Sequence, residues 1–240
     1  WMMDPMKMKY TFALPLLMTL STVISPAAHA TGMTPEFSVL LINTDDNGAS
    51  MNVKNTDDKA ALLYTTITDI AGPQNKNTKL IATQPIVRVE AGETQRVRFV
   101  LDIQTPFTVE QYKRVSFEGI QQAKPAGAKL ITATIRQTIP VIIRPKNVPD
   151  YTTPWDKLVW KKTGNTLTVN NPSPYVVRLS QKISTVPSGS KGMLRNTWLL
   201  PGETETIKMD KGVTDSQIKI SPASRFGIMV QDYIATIKNN

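Results

Sequence analysis

Few groups in this chain could do covalent chemistry. Among 240 residues there is no cysteine and one histidine, His29. Without cysteine there is no disulfide framework, no zinc ribbon and no thiol nucleophile. His29 lies in a segment read below as removed. What remains then has no imidazole, hence no Ser-His-Asp triad and no histidine-ligated metal. The expectation is no catalytic residue, no metal and no cofactor. Asp45-Asp46-Asn47-Gly48 begins like a calcium loop but lacks the distal bidentate glutamate, so it is read as a hairpin turn. Asp57-Asp58 is read as a turn too, and Gly92, Gly119, Gly127, Gly189 and Gly192 form no phosphate-cradling spacing. Lys157, Lys161 and Lys162 stand near Trp155 and Trp160, a mixture found on nucleic-acid surfaces. Lysines scattered on strands are more often a solvated face, and no nucleic-acid partner is expected. The net charge of +9 weakly favours an anionic partner of another kind.

The elements that would position these groups are strands. The N-terminus reads first as targeting: Met6-Lys7-Met8-Lys9 is basic, Tyr10 to Ile24 is apolar, and Ala28-His29-Ala30 fits a cleavage site. Pro15 and Pro26 interrupt the run, which argues against a membrane-spanning anchor. Residues 1–30 are expected to be a signal peptide, with residues 1–5 an upstream extra because Trp1 cannot initiate translation. No second long apolar run follows, so the product is expected to be exported, with no integral membrane segment.

From there on, apolar residues alternate with polar ones in many short runs. Phe37, Val39 and Leu41 share one face, and Arg96-Val97-Arg98-Phe99-Val100-Leu101 puts its arginines on the other. Leu167 and Val169 oppose Thr166 and Thr168. The turn Glu90-Ala91-Gly92-Glu93 has a counterpart at Leu200-Pro201-Gly202-Glu203. Turn signals recur every 8–12 residues or so, as a sandwich of short strands requires. Pro145-Lys146-Asn147-Val148-Pro149-Asp150 is a stiff, proline-punctuated linker. The fold class expected is all-β, with two β-sandwich domains, Thr31–Pro145 and Lys146–Asn240. Ile131, Ala133 and Ile135, interleaved with Thr132, Thr134 and Arg136, form the clearest apolar alternation in the first domain. Read by itself it fits an ordinary strand with a buried inner face.

Three segments carry a resemblance. Thr83-Gln84-Pro85-Ile86-Val87-Arg88-Val89-Glu90-Ala91-Gly92-Glu93, Ile142-Ile143-Arg144-Pro145 and Val169-Asn170-Asn171-Pro172-Ser173-Pro174-Tyr175 resemble, in order and spacing, the periplasmic pilus chaperones of the chaperone–usher family. The resemblance implies two immunoglobulin-like domains in an L or boomerang, and a periplasmic protein that is not an enzyme. It implies capping of pilus subunits that lack a strand, whose exposed groove is an aggregation hazard. The chaperone lends its own strand, here matching Ala128 to Ile143, with Ile131, Ala133 and Ile135 filling the groove. The subunit then passes to an outer-membrane usher, and a free chaperone could cap itself as a homodimer. Glu110, Arg144 and Asp232 fall where the family has an interdomain charged network.

One feature departs from the family. Its usual basic anchors for the subunit's C-terminal carboxylate fall here near Ser38 or Val39 and on Pro140, none of them basic. Arg136, and Arg114 in Tyr112-Lys113-Arg114-Val115, are the candidate replacements. Two other classes compete. A pilin or adhesin would need its own donor extension, and Thr31 to Glu36 is short and polar. A carboxylate glycosidase would favour more aromatic sugar platforms than 7% FWY supplies.

Overall fold

The computed structural model describes residues 32–72, 75–121 and 134–239. The first half contributes β1 (Met33–Pro35), β2 (Leu40–Asn43), β3 (Gly48–Asn55), β4 (Ala61–Asp69), β5 (Thr78–Ala82), β6 (Ile86–Val89), β7 (Thr94–Ile103), β8 (Gln111–Ile120) and β9 (Arg136–Arg144). They form two sheets, ordered β1-β3-β7-β5 and β2-β9-β8-β4-β6. Alternation decides which side chains meet between them. On β7, Val97, Phe99 and Leu101 are buried while Arg96 and Arg98 are exposed. They pack with Val115 and Phe117 of β8 and with Val141 and Ile143 of β9 in one apolar core. Each such side chain contributes about 1.5–3 kcal/mol by leaving water.

The second half contributes β10 (Val159–Thr163), β11 (Thr166–Asn170), β12 (Val177–Arg178), β13 (Lys182–Val186), β14 (Lys191–Met193), β15 (Trp198–Leu199), β16 (Thr204–Lys208), β17 (Gln217–Ile220) and β18 (Tyr233–Asn239). Seven of them run in the order β14-β13-β17-β18-β10-β11-β16, and β12 pairs with β15. Trp155 and Trp160 are buried in this second core, so they offer no exposed stacking surface beside the lysines. Lys162 instead donates to the carbonyls of Thr214 and Asp215.

Two local readings need correction. Phe37, Val39 and Leu41 do not lie on one strand: the chain leaves the first sheet after Pro35 and enters the second at Leu40, which leaves Phe37 60% exposed. Asp45-Asp46-Asn47-Gly48 is likewise no hairpin. It is a 3-10 turn over Thr44–Asp46, with Asn47 at φ 53, that carries the chain from β2 in one sheet to β3 in the other.

The paired glycine turns, by contrast, share a mechanism. In the first domain the fully buried Asn55 aims its amide at the carbonyls of Lys59, Val89 and Glu90. Its own carbonyl accepts from Gly92 N at 2.9 Å, and its N–H donates to Glu93 O. In the second domain Asn171, also fully buried, aims its amide at Tyr175, Leu199 and Leu200 O, accepts from Gly202 N at 2.7 Å and donates to Glu203 O. Gly92 and Gly202 both have φ near +75°, a conformation that penalises any side chain. One asparagine thus latches each turn. Asn55→Ala and Asn171→Ala leave buried carbonyls without donors, so each is expected to cost about 2–3 kcal/mol in urea unfolding. A loss near zero would mean that water replaces the amide.

Candidate functional site

The site grows from β8 and β9. β9 lies between β8 and β2, but β2 covers only part of it. The parallel register runs from Leu40 opposite Val141 to Asn43 opposite Arg144. The antiparallel register with β8 runs the whole length, from Arg136 opposite Glu118 to Ile143 opposite Gln111. From Arg136 to Pro140, β9 is therefore paired on one side only, among the described residues. That stretch continues directly from the Ile131–Ile135 run. Ile131 and Ala133 lie outside the described residues. Ile135 is half-buried against Gly32, 3.6 Å from where a side chain at 32 would begin. Pro140 sits opposite Arg114, one residue before β2 joins.

On β8, pleating sends Lys113 inward and Tyr112 and Arg114 the other way. Lys113 is fully buried and donates to Asp69 and to Thr78 O. Tyr112 packs at a tilt against Trp198 of the second half, ring centroids 5.0 Å apart, and the Arg114 guanidinium lies 5.8 Å from the same ring. Trp198 pairs with Arg178 across β12 and β15. Arg178 carries two buried nitrogens, Nε and Nη1, that find no hydrogen-bond partner among the described residues. Burial lowers its pKa, opposed by the neighbouring Tyr112; burial in turn raises that of Tyr112, opposed by Arg178 and Arg114. An apolar cluster of Val39, Tyr112, Ile142 and Val176 joins the two halves beneath this point.

The two anchor candidates separate here. Arg136 gives Nε and Nη2 to Glu118 Oε2 at 2.9 and 2.7 Å, so its fork is already occupied. Arg114 has no carboxylate partner among the described residues.

The charged groups that meet at the joint differ from the expected trio. Glu110 is 3% exposed and accepts from Val176 N at 2.9 Å and from Arg225 Nη2 at 2.9 Å. Arg225 also bonds Asp150, which pairs with Arg144 Nη1 at 2.8 Å, and Arg144 Nε donates to Asn43. Asp232 is not a member. It is exposed and accepts from Ser221 Oγ at 2.6 Å, inside the second half. A second carboxylate beside Glu110 would add like charge to a buried site, and the position is filled by Arg225 instead. Sequence reading missed Arg225, Asp150, Arg178 and Trp198. Asp150 lies in the linker that was read only as a spacer, and Arg225 carries no local signal, since its partners are 75 and 115 residues away.

Two immunoglobulin-like sandwiches are joined at a chain of ion pairs whose inner members, Glu110 and Arg225, are buried, and a strand paired on one side only over Arg136 to Pro140 lies beside the joint among the described residues. Residues 32–149 match the family model described as pili and flagellar-assembly chaperone, PapD N-terminal domain, and residues 153–233 match pili assembly chaperone PapD, C-terminal domain. The fimbrial chaperone YhcA of Escherichia coli K12 is 44% identical over 209 residues, spanning 87% of this chain and 92% of that one. The chaperone protein MrkB of Klebsiella pneumoniae is 25% identical over 207 residues, 81% of this chain and 87% of that one. Among solved structures, the Salmonella enterica SafA pilin–SafB chaperone complex superposes with TM-score 0.70 at 20% identity, covering 88% of this chain and 98% of that one. The E. coli chaperone DraB gives 0.67 at 18%, covering 87% and 97%. The chain belongs to the PapD-like pilus-assembly chaperones and serves pilus assembly, which sets aside the adhesin and glycosidase readings.

Two expectations follow for the joint. Arg225→Ala strands buried Glu110, while Asp232 has no buried partner. The first is expected to cost about 3–5 kcal/mol and Asp232→Asn under about 1 kcal/mol, read by chemical unfolding. Equal losses would restore Asp232 to the network. The second concerns pH. Burial raises the Glu110 pKa above its usual 4.5, against the pull of Val176 N, Arg225 and Arg144. Ionised Glu110 is thus disfavoured by folding, and its titration removes stability as pH rises from below 4.5 through the raised pKa. The stability gap to Glu110→Gln should move in the variant's favour across that window and stay level above it. A slope of opposite sign in pH-stepped urea unfolding would mean that Arg225 outweighs burial.

Proposed function

We propose that this chaperone caps pilus subunits by lending the strand that ends as β9, working stoichiometrically in the periplasm and catalysing no covalent step. The open edge of β9 from Arg136 to Pro140 carries the reading. A subunit that lacks a strand exposes a groove with unpaired backbone on both walls. An edge strand supplies the missing hydrogen bonds, and alternate side chains supply register. Ile131, Ala133 and Ile135 are the side chains assigned to the groove, each isoleucine worth about 1.5–3 kcal/mol on burial. Residues 31–145 form the lending domain and 146–240 its buttress. The preceding segment 1–30 serves as the export signal.

Arg114 is the anchor for the subunit's terminal carboxylate. It is half-buried, free of any carboxylate among the described residues, and held over Trp198 beside the uncompensated Arg178. An arginine fork fixed by an aromatic ring loses little freedom on gripping a carboxylate. On β4, β6 and β8, Leu62, Ile86 and Ile120 are exposed, and Leu62 stands opposite Ile120. This apolar face suits docking on the outer-membrane usher. With no subunit bound, the β9 edge can pair with that of a second copy.

Replacing Ile131 and Ile135 together with Asp tests the assignment. The variant is expected to keep its circular dichroism and to lose subunits in a periplasmic pull-down. A folded variant that still retains subunits, or one that fails to fold, would reject the lent strand. Arg114→Gln is expected to cut subunit recovery about tenfold, and Arg136→Gln to leave it near wild type. The reverse ranking would move the anchor to Arg136.

A further inference from the structure

The second domain contains a separate groove of about 870 Å³, and every residue lining it lies between Lys182 and Asp232. The two edge strands of the seven-stranded sheet, β14 and β16, flank it. Five cations line it, Lys182, Lys191, Arg195, Lys208 and Lys219, against three carboxylates, Glu205, Asp210 and Asp232. The carboxylates are engaged by their own chain. Glu205 is buried and accepts from Arg195 N, Asp210 accepts from Lys191 N, and Asp232 accepts from Ser221 Oγ. The four lysines are all exposed, and none makes an ion pair among the described residues.

Their placement is ordered. Ser184 of β13 stands opposite Lys219 of β17 on one side and Lys191 of β14 on the other, and Lys182 stands opposite Met193. Three strands thus present a row of lysine, serine, lysine with no acid in it, and a second row of lysine beside a methionine that is 62% exposed. β14 passes close to the wall at Gly192, where an added Cβ would fall 2.6 Å from Met209 Sδ and 2.9 Å from Ile207 Cγ2 and would push those side chains aside. An extended chain sends alternate side chains to opposite faces. Laid along β14 and β16, a segment alternating acidic and apolar residues would set carboxylates among the lysines and apolar groups on Met193. Basic side chains would meet like charge.

We propose that this groove docks an extended acidic segment of a partner protein, at a place separate from the lent strand. The β14 edge is partly closed, since Asp210 bonds both Lys191 N and Lys191 O, so it is charge complementarity along the lysine rows that points to this occupant rather than to a second copy of a chain that carries +9.

The probe is a fluorescein-labelled, terminally blocked peptide of alternating Glu and Val, six residues long, titrated with the chain lacking residues 1–30 in low salt and read by anisotropy. Saturable binding is expected, with none for the Lys–Val counterpart. The double variant Lys191→Glu with Lys208→Glu should weaken binding about tenfold or more. Reversing two exposed lysines of the first domain, Lys54→Glu with Lys79→Glu, should leave it unchanged. Equal weakening by both pairs would mean that net charge alone attracts the peptide and would overturn the groove. So would equal binding of the Lys–Val peptide, the absence of saturable binding, or a preference for phosphatidylglycerol vesicles over the peptide that the groove variant does not alter. The Ile131 and Ile135 double variant should still bind the probe, so a failure of strand lending and a failure of this groove read out separately.

Discussion

Everything at the joint between the domains turns on one carboxylate kept out of water. Glu110 stands at the entry to β8, and its two oxygens take hydrogen bonds from elements that the chain reaches only much later: Val176 N and the Arg225 guanidinium. A buried charge is tolerated only where its partners are fixed. The requirement therefore runs outward, through Arg225 to Asp150, through Asp150 to Arg144, and from Arg144 to Asn43. Those residues sit on β2, on β9, in the linker and in the loop after β17. At the same joint Trp198 rests against Tyr112 and Arg114.

Inside each domain the corresponding demand is made by an amide. Asn55 and Asn171 do the same job at equivalent turns, each closing a glycine loop from beneath. A neutral side chain suits a place where several carbonyls need donors and no cation is near. The chain thus uses neutral latches where a domain must hold itself, and charges where two domains must hold each other. Bonds to charged groups are stronger and more directional, at the cost of desolvation.

What could be read from the residues alone followed the range of the interaction. Strand alternation on β7 and the kinship of the turns at Gly92 and Gly202 are local, so both were legible. The Phe37–Leu41 run was misread because period two persists while the backbone switches sheets, and nothing in the pattern marks Pro35 to Leu40 as a crossing. Arg114 was legible as a candidate because it stands in a recognisable segment of β8. That Arg136 is engaged was not legible, since this rests on Glu118 lying across the strand pair. Asp232 was misassigned and Arg225 overlooked for one reason. Which loop side chain crosses the joint, as Arg225 does, and which turns back to its own domain, as Asp232 does to Ser221, is decided only when the cores dock, and sequence spacing holds no record of it.

The partial cover of β9 by β2 has a geometric corollary. Because Leu40 joins opposite Val141, the free edge ends at a fixed residue, and the ladder beyond it is already closed by the chain's own backbone. Any strand that pairs with this edge meets a terminus it cannot slide past. Under the proposed strand lending, this edge would act as a measuring stick as well as a template. The abutting end, rather than side-chain fit alone, would set how far an incoming strand travels, and guests of different sequence would all be aligned from the same point.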